Sequence, residues 1–302
     1  MRVVVTGGAG FVGSNLVAGL VATGADVVVV DDFFTGTRQS LPDIEVVEGS
    51  VTDFSLMHRV CRRADMVFHA AARNIIVSTQ NPWDDFRVNA GGTLNVLLAA
   101  RDSNVQRVVY TSSCSVYGNK TRMPIVETDP VSLLTPYAAS KHAGEAYCQA
   151  FYASYELSTT VVRYSNVYGP GQRPENPYCG VVSRFLDDSL AGKPMRVNGS
   201  GEQTRDYTYV SDIVDATLAA AATQAGGVYN IATETETTVN ELAALIGGPV
   251  EHVGLRDIDN VSRRSLSTEK IEWETGWQPK IELAEGIELT RQWLSGQDAR
   301  SD

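Results

Sequence analysis

The serine pair Ser112-Ser113 closes the apolar run that begins at Val108. After a polar loop comes PYAASK, with Tyr137 and Lys141 four residues apart. On a helix, positions four apart share a face, so the phenol and the ammonium are expected to point the same way. A nearby positive charge favours the ionised form of a phenol, moving it down from its ordinary value of about 10. The pair therefore reads as an acid–base device with a hydroxyl, Ser113, set in front of it. A Tyr-x-x-x-Lys pair alone is more readily a solvated helix face, and the other elements of the chain decide between the two.

Those elements begin at the first residue. Arg2 to Thr6 is a β-branched run that ends in GGAGFVGSNLVAGLVATG, where Phe11, Val12, Leu16, Leu20 and Val21 recur at helical spacing. Strand, glycine turn and helix is the setting of a dinucleotide fingerprint, here spaced Gly7-x-x-Gly10-x-x-Gly13, one residue wider than GxGxxG. Gly7 and Gly10 would let the backbone approach a pyrophosphate, and Gly13 would let the helix lie close to the strand. The next run, Val27 to Val30, ends in Asp31-Asp32. That is the distance, about twenty residues, at which a carboxylate meets the adenosine ribose, and it favours NAD over NADP. Arg38 is a weak counter-argument.

Further strands are expected at Ile44 to Val47, Val67 to Ala70, Val108 to Ser112 and Thr159 to Tyr164. Long helices are expected at Asn81 to Asp102, which carries Asn89, and at Tyr137 to Tyr155. The alternation predicts an α/β, doubly wound, mostly parallel sheet of Rossmann type, with ligands at the carboxyl ends of its strands. SNVYGPGQRPENPYCG reads as a long ordered loop. Beyond it, a helix at Val181 to Leu190, a strand at Met195 to Val197 and a helix at Val210 to Thr223, with Asp212 as its N-cap, precede a mixture of short elements. The expected division is a cofactor domain over residues 1–165, rejoined by segments near 206–232, and a smaller substrate-binding region over 166–302.

The totals narrow the function. A 302-residue chain with 43% apolar and 20% charged residues is long enough for a large core. A net charge of −11 argues against broad binding to nucleic acid or anionic membranes. Cys61, Cys114, Cys148 and Cys179 show no metal-binding spacing, Cys114 has no base placed to make it a nucleophile, and reduced thiols are expected. With no signal-peptide pattern and no apolar run long enough to span a bilayer, the cytoplasm is the expected location.

TGGAGFVG, VDDFFTG, FHAAA, YTSSCSVYG, PYAASK, RYSNVYGPGQRP and GSGEQTRDYTYVSD, in that order, resemble the extended short-chain dehydrogenase/reductases. Within them the nearest resemblance is to NAD-dependent UDP-sugar 4-epimerases, and it runs to about Pro279. The resemblance implies that Ser113 bonds to the sugar 4-oxygen, Tyr137 is the general base and Lys141 its partner. It implies an NAD grip made by Gly7, Gly10, Phe11, Val12, Asp31, Asp32, Thr35 and Gly36. Ser50 and Val51, Ala70, Ala71 and Asn89, and Tyr164 and Val167 complete the cofactor side with Tyr137 and Lys141. For the nucleotide sugar it implies Ser113, Ser115, Asn166, Arg173, Val181, Val197, Arg205 and Arg256. Relatives pair the two long helices across a homodimer, which is carried over as an expectation.

Three departures matter. Gly49-Ser50 stands where relatives often have Gly-Asp beside adenine. Arg256-Asp257-Ile258-Asp259 replaces Arg-x-Gly-Asp and is followed by Arg263-Arg264, so any of three arginines could meet the diphosphate. The serine segment lacks the Asp-Glu pair of 4,6-dehydratases, which counts against dehydration. A nucleotide-sugar 4-ketoreductase would use the same triad, and an NAD-binding sensor would use the fold without it. Which sugar is bound is open; Ser115 and Arg173 are the residues placed to meet a sugar carboxylate.

Overall fold

The computed structural model describes residues 1–223, 227–256 and 260–298. Its centre is a seven-stranded parallel sheet: β1 (Arg2–Thr6), β2 (Asp26–Asp31), β3 (Glu45–Glu48), β4 (Met66–His69), β5 (Arg107–Ser113), β6 (Thr159–Tyr164) and β11 (Val228–Ile231). Across the sheet the order is β11-β6-β5-β4-β1-β2-β3. The chain winds outward in one direction from β1 through β2 and β3, then returns to β4 on the other side. The cleft between β1 and β4 is therefore the switch point where ligands bind in such sheets.

Alternation along the strands builds a core on each face. Val4, Val28, Val30, Val67, Val108 and Val161 face α2 (Phe54–Cys61), α5 (Gly92–Asp102) and α6 (Pro136–Tyr155). Val3, Val5, Val27, Val29, Phe68 and Val162 face α1 (Phe11–Ala22) and α8 (Val210–Ala222). Gly19 of α1 has no Cβ because Val214 of α8 occupies that space, 2.6 Å from where one would sit. A third core lies in the C-terminal layer, where α7 (Val181–Leu190), β8 (Met195–Asn198) and α9 (Val239–Ile246) pack on α11 (Leu283–Asp298).

Three local expectations are corrected. The helix expected over 81–102 is three pieces, α4 (Pro82–Asp85), a π-helical segment Phe86–Gly91, and α5, preceded by the short α3 (Ile75–Gln80). Asn81 caps α4 by accepting the Asp84 N–H, and the π turn carries Asn89. Asp212 does not cap α8: the helix begins at Val210, and Asp212 instead accepts the Lys280 and Ile281 amides. The loop after Tyr164 contains a strand, β7 (Asn166–Tyr168), which pairs in parallel with β10 (Tyr207–Tyr209).

Candidate active site

At the switch point, Gly7 has φ of +69°, and the Cβ it lacks would lie 2.5 Å from the Ala71 amide nitrogen. Only glycine fits that approach. A Cβ on Gly13 would fall 2.0 Å from the Gly7 carbonyl, so this glycine lets α1 start against the turn. Helix α1 has Gly10 at its N-cap, no side-chain cap and no acidic residue in its first turn. Its first amides and dipole are thus left to an anion. Asp31 accepts from the Ala9 and Phe33 amides at 2.8 Å each, which braces the glycine turn as well as presenting a carboxylate. Gly7, Gly10, Asp31, Asp32, Thr35, Ser50, Val51, Ala70 and Ala71 all line one cavity. Gly36 lies against the Ala9 backbone, with no room for a Cβ.

Arg73, which sequence reasoning passed over, also lines this cavity. It donates to Asp32 at 3.0 Å and to Asp84 at 2.7 Å, and its guanidinium lies 4.0 Å from the Phe34 ring centre. Its amide donates to Asn89 Oδ1 at 2.7 Å, and its carbonyl accepts from Asn89 Nδ2 at 3.1 Å.

β5 ends at Ser113, whose side chain caps the short turn Cys114–Tyr117 by accepting from the Ser115 amide. The Ser113 and Ser115 hydroxyls are 3.2 Å apart. Thr135 caps α6, with Pro136 in its first turn, so Tyr137 and Lys141 fall in the opening turns of the helix. The Ser113 hydroxyl lies close enough to the Tyr137 phenol to favour its ionised form. Lys141 is 2% exposed and lies 4.6 Å from the Tyr110 ring centre.

The electrostatics differ from the expectation at one point. Burial dominates and pushes the Tyr137 phenol up to about 12, against the lowering effect of Ser113. Burial also lowers the Lys141 ammonium to about 8, although Glu145 and Asp85 favour its charged form. At about 8 Lys141 is still mainly protonated at neutral pH, but burial of the phenol, not the lysine's charge, decides where Tyr137 titrates. His69 is enclosed, with Nδ1 2.7 Å from Thr6 Oγ1 and Nε2 2.9 Å from Thr93 Oγ1. Burial lowers it to about 3, so it stays neutral and packs under the site.

A second cavity of about 360 Å³ is lined by Asn166, Val181, Arg205 and Arg256, together with Arg184 and Arg196. Asn166 Oδ1 and the Tyr207 hydroxyl, which also line it, are buried with no protein partner. Arg263 instead pairs with Glu236, and Arg264 is buried with Nη1 3.3 Å from Cys114 Sγ. Of the three candidate arginines, Arg256 is the one beside Arg205; Asp257 to Asp259 lie outside the described residues. Arg173 lines a different cavity, with Phe11, Thr35 and Tyr178. Val197 is fully buried in the C-terminal core, and its strand neighbours Arg196 and Asn198 line the second cavity in its place. Val12 and Val167 pack at the edge of the α1-side core. Tyr164 lies in that core, with its hydroxyl 2.7 Å from Thr217 Oγ1.

The model of the NAD dependent epimerase/dehydratase family matches residues 3–232. The chain belongs to that family. The chain is similar to the putative UDP-glucose 4-epimerase of Methanocaldococcus jannaschii, 36% identical over 97% of this chain and 98% of that one. The UDP-glucose 4-epimerase of Thermotoga maritima, solved with UDP-glucose, superposes with a TM-score of 0.95 at 34% identity, covering 98% of this chain and 99% of that one. The Thermus thermophilus UDP-glucose 4-epimerase, solved with NAD, gives 0.92 at 36% identity over 98% and 99%. Other relatives are UDP-sugar decarboxylases and nucleotide-sugar dehydratases. The family's cofactor is NAD, and the glycine turn, the uncapped α1 and the acids at the end of β2 fit it. Among the described residues, no group of three or more His, Cys, Asp or Glu is placed to hold a metal ion, and no helix is long and apolar enough to cross a membrane.

Proposed function

We propose that the chain interconverts UDP-sugars by inverting carbon 4 through a transient 4-keto sugar. What supports this reading is Ser113 at the end of β5 and Tyr137 and Lys141 in the opening turns of α6, taken with the glycine-turn cavity at the switch point and an arginine-lined cavity formed in part by Asn166 at the start of β7. Tyr137, as phenolate, takes the proton of the 4-hydroxyl, and Ser113 holds that oxygen by a hydrogen bond. General base catalysis of this kind contributes roughly 10²–10⁴-fold. Bound NAD⁺ supplies the acceptor for the C4 hydride, and its positive ring adds the charge that a phenolate needs in a buried site. Gly7, Gly10, Asp31 and Asp32 would hold its nucleotide half. Ala70, Ala71 and Asn89 would face the nicotinamide half.

Arg205 and Arg256 anchor the diphosphate by charge-assisted hydrogen bonds. A diphosphate held firmly and a sugar held loosely let the 4-keto ring present its other face before the hydride returns to C4 and Tyr137 gives the proton back to the oxygen. Trp83 and Phe86 beside α5, and Tyr147, Tyr152 and Tyr155 on α6, are exposed. They give the stretch from α4 to α5, and α6, an aromatic surface suited to a homodimer. The four cysteines are free thiols, as suits the cytoplasm.

The test is a panel of UDP-glucose, UDP-N-acetylglucosamine and UDP-glucuronate, offered without added cofactor to protein that has passed through gel filtration. The expected result is retained NAD and a C4 epimer of at least one sugar by NMR. Stoichiometric consumption of NADH with a 4-keto sugar would instead make the chain a ketoreductase. Loss of carbon dioxide from UDP-glucuronate would make it a decarboxylase.

A further inference from the structure

Asp85 closes α4 and is 2% exposed. One of its oxygens, Oδ1, accepts three hydrogen bonds: from Ser78 Oγ at 2.5 Å, Asn89 Nδ2 at 2.6 Å and Ser140 Oγ at 2.9 Å. Each donor comes from a different part of the site. Ser78 lies on α3. Asn89 lies on the π turn, where its amide clamps the Arg73 backbone. Ser140 lies on α6 between Tyr137 and Lys141; it accepts from Asn89 Nδ2 at 3.1 Å, and its hydroxyl lies 3.0 Å from the Tyr137 carbonyl. Asp85 is therefore the common acceptor joining the two stretches of helix that carry Asn89, Tyr137 and Lys141.

We propose that Asp85 is a positioning residue of the reaction: its carboxylate locks Asn89 and Ser140 into one arrangement and supplies the negative charge that accompanies the Lys141 ammonium. The turnover readout of this proposal rests on the epimerase reading; its spectroscopic readout does not.

Two arguments support a role for the charge as well as the shape. An asparagine could accept the same bonds through its carbonyl, so shape and acceptor count do not require a carboxylate. A buried carboxylate is also costly unless other groups compensate it. Burial is the larger effect and leaves the Asp85 carboxyl raised, but Ser78, Ser140, Lys141 and Asn89 all oppose that push and favour its charged form. Around Lys141 the other groups are Glu145 and Cys148 on its own helix, His69 on β4 and the Tyr110 ring on β5. Glu145 and Asp85 are the two carboxylates among them, and Glu145 is already paired with Arg163 at 2.7 Å. Around Tyr137 are Ser113, Cys114, Asp85 and Tyr110.

The sign of the effect follows. An anion removed from beside both groups lets Lys141 lose its proton, and Tyr137 lose its own, at lower pH. In NAD-loaded protein, Asp85→Asn is expected to retain cofactor and to lower kcat roughly 10- to 100-fold, as small misplacements in active sites do, with little change in KM. Both limbs of its pH–kcat profile should move down by about one unit. An unchanged kcat with unmoved limbs overturns the proposal. Should no nucleotide sugar be turned over even by wild type, the epimerase reading fails, but Asp85 is still tested by phenolate absorbance. The difference at 295 nm between each protein and its Tyr137→Phe counterpart reports Tyr137, and Asp85→Asn must move that titration to lower pH. No movement, or an upward one, overturns the proposal. If Asp85→Asn does not fold, Ser140→Ala, which keeps the charge and removes the hydroxyl that links Asp85, Asn89 and the Tyr137 carbonyl, is expected to lower kcat about tenfold with the limbs in place. Unchanged kcat in that variant overturns the locking role.

Discussion

Ser112 Oγ donates to Glu145 Oε1 at 2.5 Å, which ties the strand that ends in Ser113 to the helix that opens with Tyr137. The same carboxylate takes Arg163 Nε at 2.8 Å and Nη2 at 2.7 Å, and the His142 ring lies 3.1 Å away. The registry of β5, α6 and β6 at the site thus converges on one buried carboxylate.

Breaking that junction should be costly. Glu145→Ala leaves Arg163 buried without its counter-ion, and a loss of about 3–5 kcal/mol in urea-induced unfolding is expected. Glu145 is held below the usual carboxylate range, with Arg163 and Ser112 outweighing desolvation. Its contribution is therefore fully present above the unfolded value of about 4.3 and is lost as pH falls through the lower folded value. A wild-type-minus-variant stability difference that does not shrink in acid would contradict this.

Tyr137→Phe should keep NAD through gel filtration and lose roughly 10²-fold or more in kcat. Extracted cofactor and NMR-monitored turnover measure the two separately. Loss of NAD from the variant would mean that the phenol clamps the cofactor and is not the base.

His69 should remain neutral through pH 5. Its folded value of about 3 lies below the ordinary 6.5, so protons bind the unfolded chain first. Stability from this residue is full above pH 6.5 and falls as pH drops toward 3. A histidine NMR titration with a midpoint near 6.5 for His69 would refute the buried, neutral assignment.

Two glycines of the turn should respond unequally to alanine. Gly13→Ala meets the Gly7 carbonyl at 2.0 Å and should cost about 1–3 kcal/mol along with NAD retention. Gly10→Ala meets that same carbonyl at 3.3 Å and should fold nearly as wild type. Thermal melts of the two, side by side, make the comparison.

The parts of this site legible in the sequence are those set by local rules. The glycine spacing, the acids after β2, the serines after β5 and the Tyr-x-x-x-Lys pair each sit where one strand meets one turn or helix. Asp85 and Arg73 were missed because their meaning comes from partners on other elements: Ser140 is 55 residues from Asp85, and Asp32 is 41 from Arg73. Asp85 and Asn89, four apart, were the available signal. The π turn shifts the register between them and α5, and only the Gly91-Gly92 pair hints at it. Asp212 looked like a cap because acids favour helix starts, yet the Lys280 and Ile281 amides, far away in sequence, had the stronger claim on it.

The edge strand β11 has a consequence for synthesis. A ribosome that has released the first 165 residues has supplied six strands of the main sheet but neither β11 nor α8, the helix that packs over Gly19 and the valines on that face. Both arrive only after β7, α7 and β8 have emerged, so the nascent cofactor half must remain open on one side until Ile231 is clear of the exit tunnel. At about 5–20 residues per second this interval lasts several seconds, during which the chain carries an unpaired strand edge and an uncovered apolar face. Nascent chains stalled before Ile231 should therefore be far more protease-sensitive than chains stalled well beyond it.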